Sequence, residues 1–182
     1  MKETGLRIRI YGDPCLRRRA RPVASVTDEH RRNLSEMARL MYDGSGIGLA
    51  ATQVGLDDSM IVVDIGEGLY KLVNPKVTER SGRQVNQEGC LSVPDVCLDV
   101  RRAANVTVEA MDENGKEVKI DTEGFFACVL QHEIDHLKGK VIVDYASFFD
   151  KFKLKKKLAG LKKRAQNEGL PEQKTKSCKL QL

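Results

Sequence analysis

No stretch of this 182-residue chain approaches the roughly 18 consecutive apolar residues that a membrane-spanning helix needs. The opening Met1–Ile10 also lacks the unbroken apolar block of a secretory signal, since charged and apolar residues alternate there. A soluble, cytoplasmic protein is expected. The five cysteines, at positions 15, 90, 97, 128 and 178, are odd in number and scattered, which excludes a disulfide framework as the basis of the fold. Reduced thiols are expected, with at least one available as a metal ligand. Cys178 is followed by four residues, where a prenylation box requires three, so no lipid anchor is indicated. No internal repeat is visible. Histidine is scarce, with three in the chain, so the placement of each carries weight.

The chain is 41% hydrophobic, enough for one core. Residues 1–166 are expected to form a single domain and residues 167–182 a polar, disordered tail. The net charge of +5 conceals an asymmetry: from Asp150 to Leu182 eleven Lys/Arg face three Asp/Glu, a net of +8, which leaves −3 for the rest. Such a basic segment is either a solvated helix face or an electrostatic guide towards nucleic acid.

Asp28–Tyr42 sets Leu34, Met37, Ala38 and Met41 at helical spacing behind a Thr27 N-cap. After a glycine-rich turn the pattern becomes strand-like at Met60–Ile65, Leu69–Val73 and around Val77, with Asn74-Pro75 and Ser81-Gly82 as breaks. Val96–Val100, Asn105–Met111 and Glu117–Thr122 continue it, and Asp112-Glu113-Asn114-Gly115 reads as a hairpin turn. Phe125–Lys138 is apolar on most sides, as a buried helix is. A last helix, from about Ser147 to Gln166, places Leu154, Leu158, Leu161 and Ala165 under a lysine-rich face. The predicted class is α+β, with mostly antiparallel strands around a helix buried in the core.

That helix carries Gln131-His132-Glu133-Ile134-Asp135-His136. Positions i and i+4 share a helix face, so His132 and His136 can converge on one ion with Glu133 beside them to handle protons. A catalytic ion usually takes three protein ligands and keeps one position for water. His30 lies among Arg31 and Arg32 and reads as a surface residue. Cys128 shares the face of His132 but lies ~12 Å along the axis from His136, so a straight helix cannot bring all three together, and it reads as a packing residue. Cys90, in Gln87-Glu88-Gly89-Cys90-Leu91-Ser92, is the remaining choice, either a small buried hydrophobe or the third ligand. Two other readings of these features are a zinc peptidase that cuts internal bonds and a non-catalytic RNA-associated protein with a structural metal.

Three blocks, Gly46-Ile47-Gly48-Leu49-Ala50-Ala51-Thr52-Gln53, Glu88-Gly89-Cys90-Leu91-Ser92 and the histidine block, resemble the signatures of the peptide deformylases, in that family's order. The likeness runs from about Leu6 to Phe152 and includes Tyr11–Arg17. It implies antiparallel sheets surrounding the central helix that bears the histidines, with a basic C-terminal helix. It also implies metal ligation by Cys90, His132 and His136, with ferrous iron as the native ion and zinc, nickel or cobalt able to replace it. The reaction implied is removal of the formyl group from N-formylmethionine at the start of new polypeptides, releasing formate.

In that scheme a metal with an open position lowers the pKa of its bound water to about 7, and Glu133 accepts the proton. The resemblance makes Gln53 and the Leu91 N–H donors to the oxyanion. It also places Ile47, Gly48 and Gly89 alongside the peptide and Phe125, Cys128 and Val129 around the methionine side chain; by composition alone these last three read equally well as core. Cys97, Cys128 and Asn86 depart from what relatives often carry near the site. The partners expected are formylmethionyl nascent chains and, through the basic helix, the ribosome; the chain is expected to be a monomer.

Overall fold

The computed structural model describes residues 5–167. The disordered tail expected over 167–182 lies outside them except for Asn167, as do Cys178 and the first four residues of the Met1–Ile10 stretch. Among the described residues there are three α-helices: α1 (Asp28–Asp43), α2 (Gly124–His136) and α3 (Phe148–Asn167). The strands are β1 (Gly48–Ala50), β2 (Met60–Val63), β3 (Tyr70–Ser81), β4 (Gln84–Glu88), β5 (Leu98–Arg102), β6 (Asn105–Met111) and β7 (Glu117–Glu123). The α+β expectation holds, and every pairing between these strands is antiparallel. A five-stranded sheet runs in the order β1-β2-β3-β6-β7, and β4 with β5 forms a separate pair. No described helix is long and apolar enough to cross a membrane.

The continuous apolar run of β2 follows from its position between two helices. Ile61 and Val63 join the cluster around Ala127, Val129, Leu130 and Ile134 of α2. Met60 and Val62 point the other way, into the cluster with Leu34, Met37 and Met41 of α1. A strand covered on both faces has no polar side to alternate with. Leu34, Met37 and Met41 are fully buried, each contributing roughly 1.5–3 kcal/mol by transfer from water. The Thr27 cap is confirmed, and it explains His30: the Thr27 N–H donates to His30 Nδ1 at 2.9 Å while Thr27 Oγ1 accepts from the His30 N–H. His30 is therefore a half-buried capping residue and not a free surface one.

Three strand expectations need correction. β3 runs unbroken through Asn74-Pro75, because Asn74 takes a positive φ of 54°, shifts the register there and ties its side chain to both the N–H and the carbonyl of Val23. The strand expected at Val96–Val100 lies at Leu98–Arg102. β1 and β4 were not predicted: one hides in the glycine-rich turn, and the other, Gln-Val-Asn-Gln-Glu, has little strand propensity and is held by its pairing with β5. The hairpin at Asp112–Gly115 is as read, with Gly115 at φ 81° and Asp112 accepting from the N–H groups of Asn114 and Lys116. In α3, Leu161 is buried and Leu154, Leu158 and Ala165 pack beside it against Val96, Leu98 and Ile142.

Candidate metal centre

The core packing of α2 fixes both histidines. Its Gly124 N–H donates to the Ala104 carbonyl at 2.8 Å, and Thr52 Oγ1 donates to the His136 carbonyl at 3.0 Å. Cys90 comes from the turn after β4, closed by the Val93 N–H donating to the Cys90 carbonyl at 2.9 Å. Cys90 Sγ lies 3.2 Å from His136 Nε2, and the two Nε2 atoms lie 3.1 Å apart. One ligand atom from each of the three residues falls within 4.8 Å of the others, and all three residues are buried.

The donor set fits a divalent ion. His132 Nδ1 faces Glu88 Oε2 at 2.8 Å, so its proton belongs on Nδ1 and the Nε2 lone pair points into the cluster. Burial, with the nearby His132 and Arg102, drives the pKa of His136 well below its ordinary value, which keeps this imidazole neutral. Burial and the neighbouring Glu133 push the Cys90 thiol up, so a thiolate there requires a compensating cation. Two imidazoles and one sulfur, brought together away from solvent, offer the mixed N/S ligation of a catalytic zinc-type site.

Glu133 is fully buried, and neither of its carboxylate oxygens has a hydrogen-bond partner among the described residues. Burial raises its pKa well above the usual carboxylate range. Its carboxylate occupies the space beside Gly48, where an added Cβ would stand 2.3 Å from Oε1. Gln53, also fully buried, uses Oε1 to accept from the Ala50 N–H at 2.7 Å and turns Nε2 towards Ser92 Oγ at 3.2 Å and Cys90 Sγ at 3.6 Å. Leu91 is buried.

A second layer was missed in the sequence. Glu88 accepts from Arg102 Nε at 2.5 Å and Nη2 at 2.8 Å, as well as from the Cys128 thiol at 3.1 Å. Arg102 Nη1 reaches Asp135 at 2.8 Å, and Tyr145 donates its hydroxyl to the same Asp135 oxygen at 2.5 Å. Burial alone would raise the Glu88 carboxyl, but hydrogen bonds from Arg102 and His132 hold it down at about 2. The available signal was Glu88 itself, an acid two residues before a proposed ligand; nothing local marks Arg102 or Tyr145.

Of the residues expected to touch substrate, Gly89 is buried and Ile47 and Phe125 are half-buried. Val129 and Cys128 lie wholly within the core cluster, with the Cys128 sulfur engaged by Glu88. Asn86 is half-buried, and its Nδ2 has no partner among the described residues. Cys15, Cys90 and Cys128 are free thiols, as expected. Cys97 is not: it is disulfide-bonded, and it is exposed between the buried Val96 and Leu98.

The family described as polypeptide deformylase matches residues 6–152. A peptide deformylase of Halothermothrix orenii is 48% identical over 141 residues, covering 76% of this chain and 92% of that protein. One from Alkalilimnicola ehrlichii is 44% identical over 160 residues, covering 86% of this chain and 90% of its own. The crystal structure of the peptide deformylase from Thermus thermophilus superimposes with a TM-score of 0.82 at 36% identity, covering 87% of this chain and 98% of that one. A match over nearly the whole described fold, and over the segments that bring the sulfur and both imidazoles together, establishes that the chain belongs to the polypeptide deformylase family.

Proposed function

We propose that Glu133, Gln53 and the Leu91 N–H carry out the chemistry at this centre, with Cys90, His132 and His136 holding one divalent ion. The enzyme removes the N-formyl group from nascent polypeptides. Water adds to the formyl carbon, the C–N bond breaks, and formate leaves a free amine. When bound, the ion supplies Lewis acidity, drawing the pKa of a coordinated water from about 16 to about 7. The observation that carries the assignment of Glu133 is its unpartnered carboxylate, buried next to three convergent ligand atoms. Such a group accepts the proton of the attacking water readily, because burial favours its protonated form, and then returns that proton to the departing nitrogen.

Gln53 is anchored through its carbonyl, which aims its amide Nε2 at the cluster beside Ser92 Oγ and Cys90 Sγ, where it can steady negative charge on the formyl oxygen. The Leu91 N–H, which takes no partner among the described residues, is the second donor. Donors fixed before the reaction begins contribute a few kcal/mol in sites of this kind. β1 stands at the sheet edge, so the main chain of Ile47 and Gly48 can pair with an extended peptide as an added strand. Gly89 lines the same approach, and Phe125, Cys128 and Val129 border the methionine side chain, with the Cys128 thiol also donating to Glu88.

Ferrous iron is the native ion in this reading, replaceable by zinc, nickel or cobalt. Imidazole and thiolate donors accept all of these, and availability decides which is bound. The enzyme works in the cytoplasm as a monomer and docks on the ribosome through α3, whose lysines face solvent. The test is formate release from a formylmethionyl peptide by anaerobically prepared enzyme, compared with Glu133→Gln. The variant should retain its metal and lose activity by several kcal/mol of transition-state stabilisation. Undiminished turnover in Glu133→Gln would remove Glu133 from the mechanism.

A further inference from the structure

A groove of about 900 Å³ lies on the face of the molecule where the β3–β4 turn meets the end of α2. Arg80, Arg83, Arg101, Lys138 and Lys140 line it, and all five are exposed. None of the five forms an ion pair among the described residues. The acid in the groove wall, Asp135, is already engaged by Arg102 and Tyr145. This concentration arises in the part of the chain before Asp150, which carries a net −3, so the cations are segregated and do not merely reflect a basic composition. It is also separate from the lysines of α3.

The groove's neutral polar groups are committed. Gln84 Nε2 donates to the carbonyls of Ala103 and Gly124, Gln131 Nε2 donates to those of Ala103 and Ala127, and Ser81 Oγ accepts from Asn105. Recognition there is left to charge. Three guanidinium groups favour phosphate, which they can grip in two-point fashion. The five cations are spread over β3, the β3–β4 turn, β5 and the segment after α2, which suits a linear polyanion better than a single small anion. We propose that this groove binds the phosphate backbone of RNA without reading its sequence. The proposal rests on the reading that the enzyme acts on chains leaving the ribosome, where RNA backbone is the nearest dense array of phosphates.

The test uses the full-length, metal-loaded enzyme and a fluorescent single-stranded RNA oligonucleotide, titrated across a salt series. The combined variant Arg80→Gln/Arg83→Gln/Lys140→Gln should bind about tenfold or more weakly, and each lost phosphate contact should flatten the plot of log affinity against log salt by about 0.7. Formate release from a formylmethionyl peptide should be unchanged in this variant, since none of the three residues touches the metal centre. A matched variant of α3, Lys155→Gln/Lys156→Gln/Lys163→Gln, should leave the groove's share of the salt slope intact. An unaltered slope in the groove variant, with normal formate release, overturns the groove proposal and leaves the deformylase reading standing. Absence of formate release by the parent enzyme counts against the deformylase reading alone. Displacement of RNA by polyglutamate at equal charge, or tighter groove-dependent binding to anionic vesicles, also overturns the proposal by naming a different occupant.

Discussion

Glu88 Oε2 and His132 Nδ1 stand 2.8 Å apart in the buried interior, and through that contact the orientation of a candidate metal ligand depends on a strand it does not belong to. Partners of this kind fix tautomer and ring direction, and their loss typically costs 10–100-fold in metal affinity (an order-of-magnitude range). Glu88→Gln should weaken ion binding by about that factor, measured by competition with a chelator. An affinity equal to the parent's would show the contact to be incidental.

Gly48→Ala should impair catalysis with little effect on folding. The added methyl would stand 2.3 Å from Glu133 Oε1, closer than real contacts allow, so the carboxylate must turn away. A displacement of the order of 1 Å in a catalytic group can cost about 100-fold. The expected result is a kcat lowered by roughly that factor, with the circular dichroism spectrum and metal content retained. Normal kcat would mean that the carboxylate need not sit where it does.

The Glu88–Arg102 pair sets an acid limit. The Glu88 carboxyl is held at about 2 in the folded chain against an ordinary 4.5, so the charged form is the one favoured by folding. Its contribution is fully present above pH about 4.5 and is withdrawn as pH falls towards about 2. The metal-free protein should therefore lose stability through that window. Glu88→Gln should show a shallower decline there, as read from denaturant midpoints at successive pH values. Identical declines would place the acid sensitivity elsewhere.

Metal should also act on stability. An ion that binds the folded chain and not the unfolded one adds about 4 kcal/mol at a free concentration about 1,000 times its dissociation constant. Treatment with a chelator should lower Tm and abolish formate release, and Co(II) or Ni(II) should restore both. Cys90→Ala should lose most of the Tm response. Full retention of that response would remove the sulfur from the ligand set.

The basic helix α3 is best tested by substitution. Leu161 is buried, and Leu154 and Leu158 pack beside it, so cutting the chain after Asp150 would strip apolar cover from the core. Replacement of Lys155, Lys156 and Lys163, all exposed, by glutamine should lower ribosome affinity in a salt-dependent way while sparing activity on short formyl peptides. Unchanged cosedimentation with ribosomes would separate α3 from ribosome docking.

The three residues that converge at the candidate metal centre were legible for different reasons. His132 and His136 stand out by helical spacing, whereas Cys90 alone reads equally as a small buried hydrophobe and is singled out by the resemblance of its block to the deformylase signatures. α1, the β6–β7 hairpin and α3 were legible because each has caps, turns or periodicity of its own. Glu88 with Arg102 was not, because β4 and β5 set Glu88 opposite Leu98 and Arg102 opposite Gln84, and only the long Arg102 side chain brings the two charges together in the interior, which no periodicity records. β1 and β4 escaped because tertiary pairing, not propensity, makes them strands. Asn74 misled in the opposite sense: a residue that usually ends a strand here bends one and continues it.

Among the described residues, β1 ends the sheet with one side unclaimed by any neighbouring strand. A peptide aligned there, as proposed, would be held by its amides and carbonyls, groups that every polypeptide possesses whatever its side chains. An enzyme using this grip can be strict about the formylated methionine and indifferent to the residues after it, a tolerance required of any catalyst that must treat the products of many different messages.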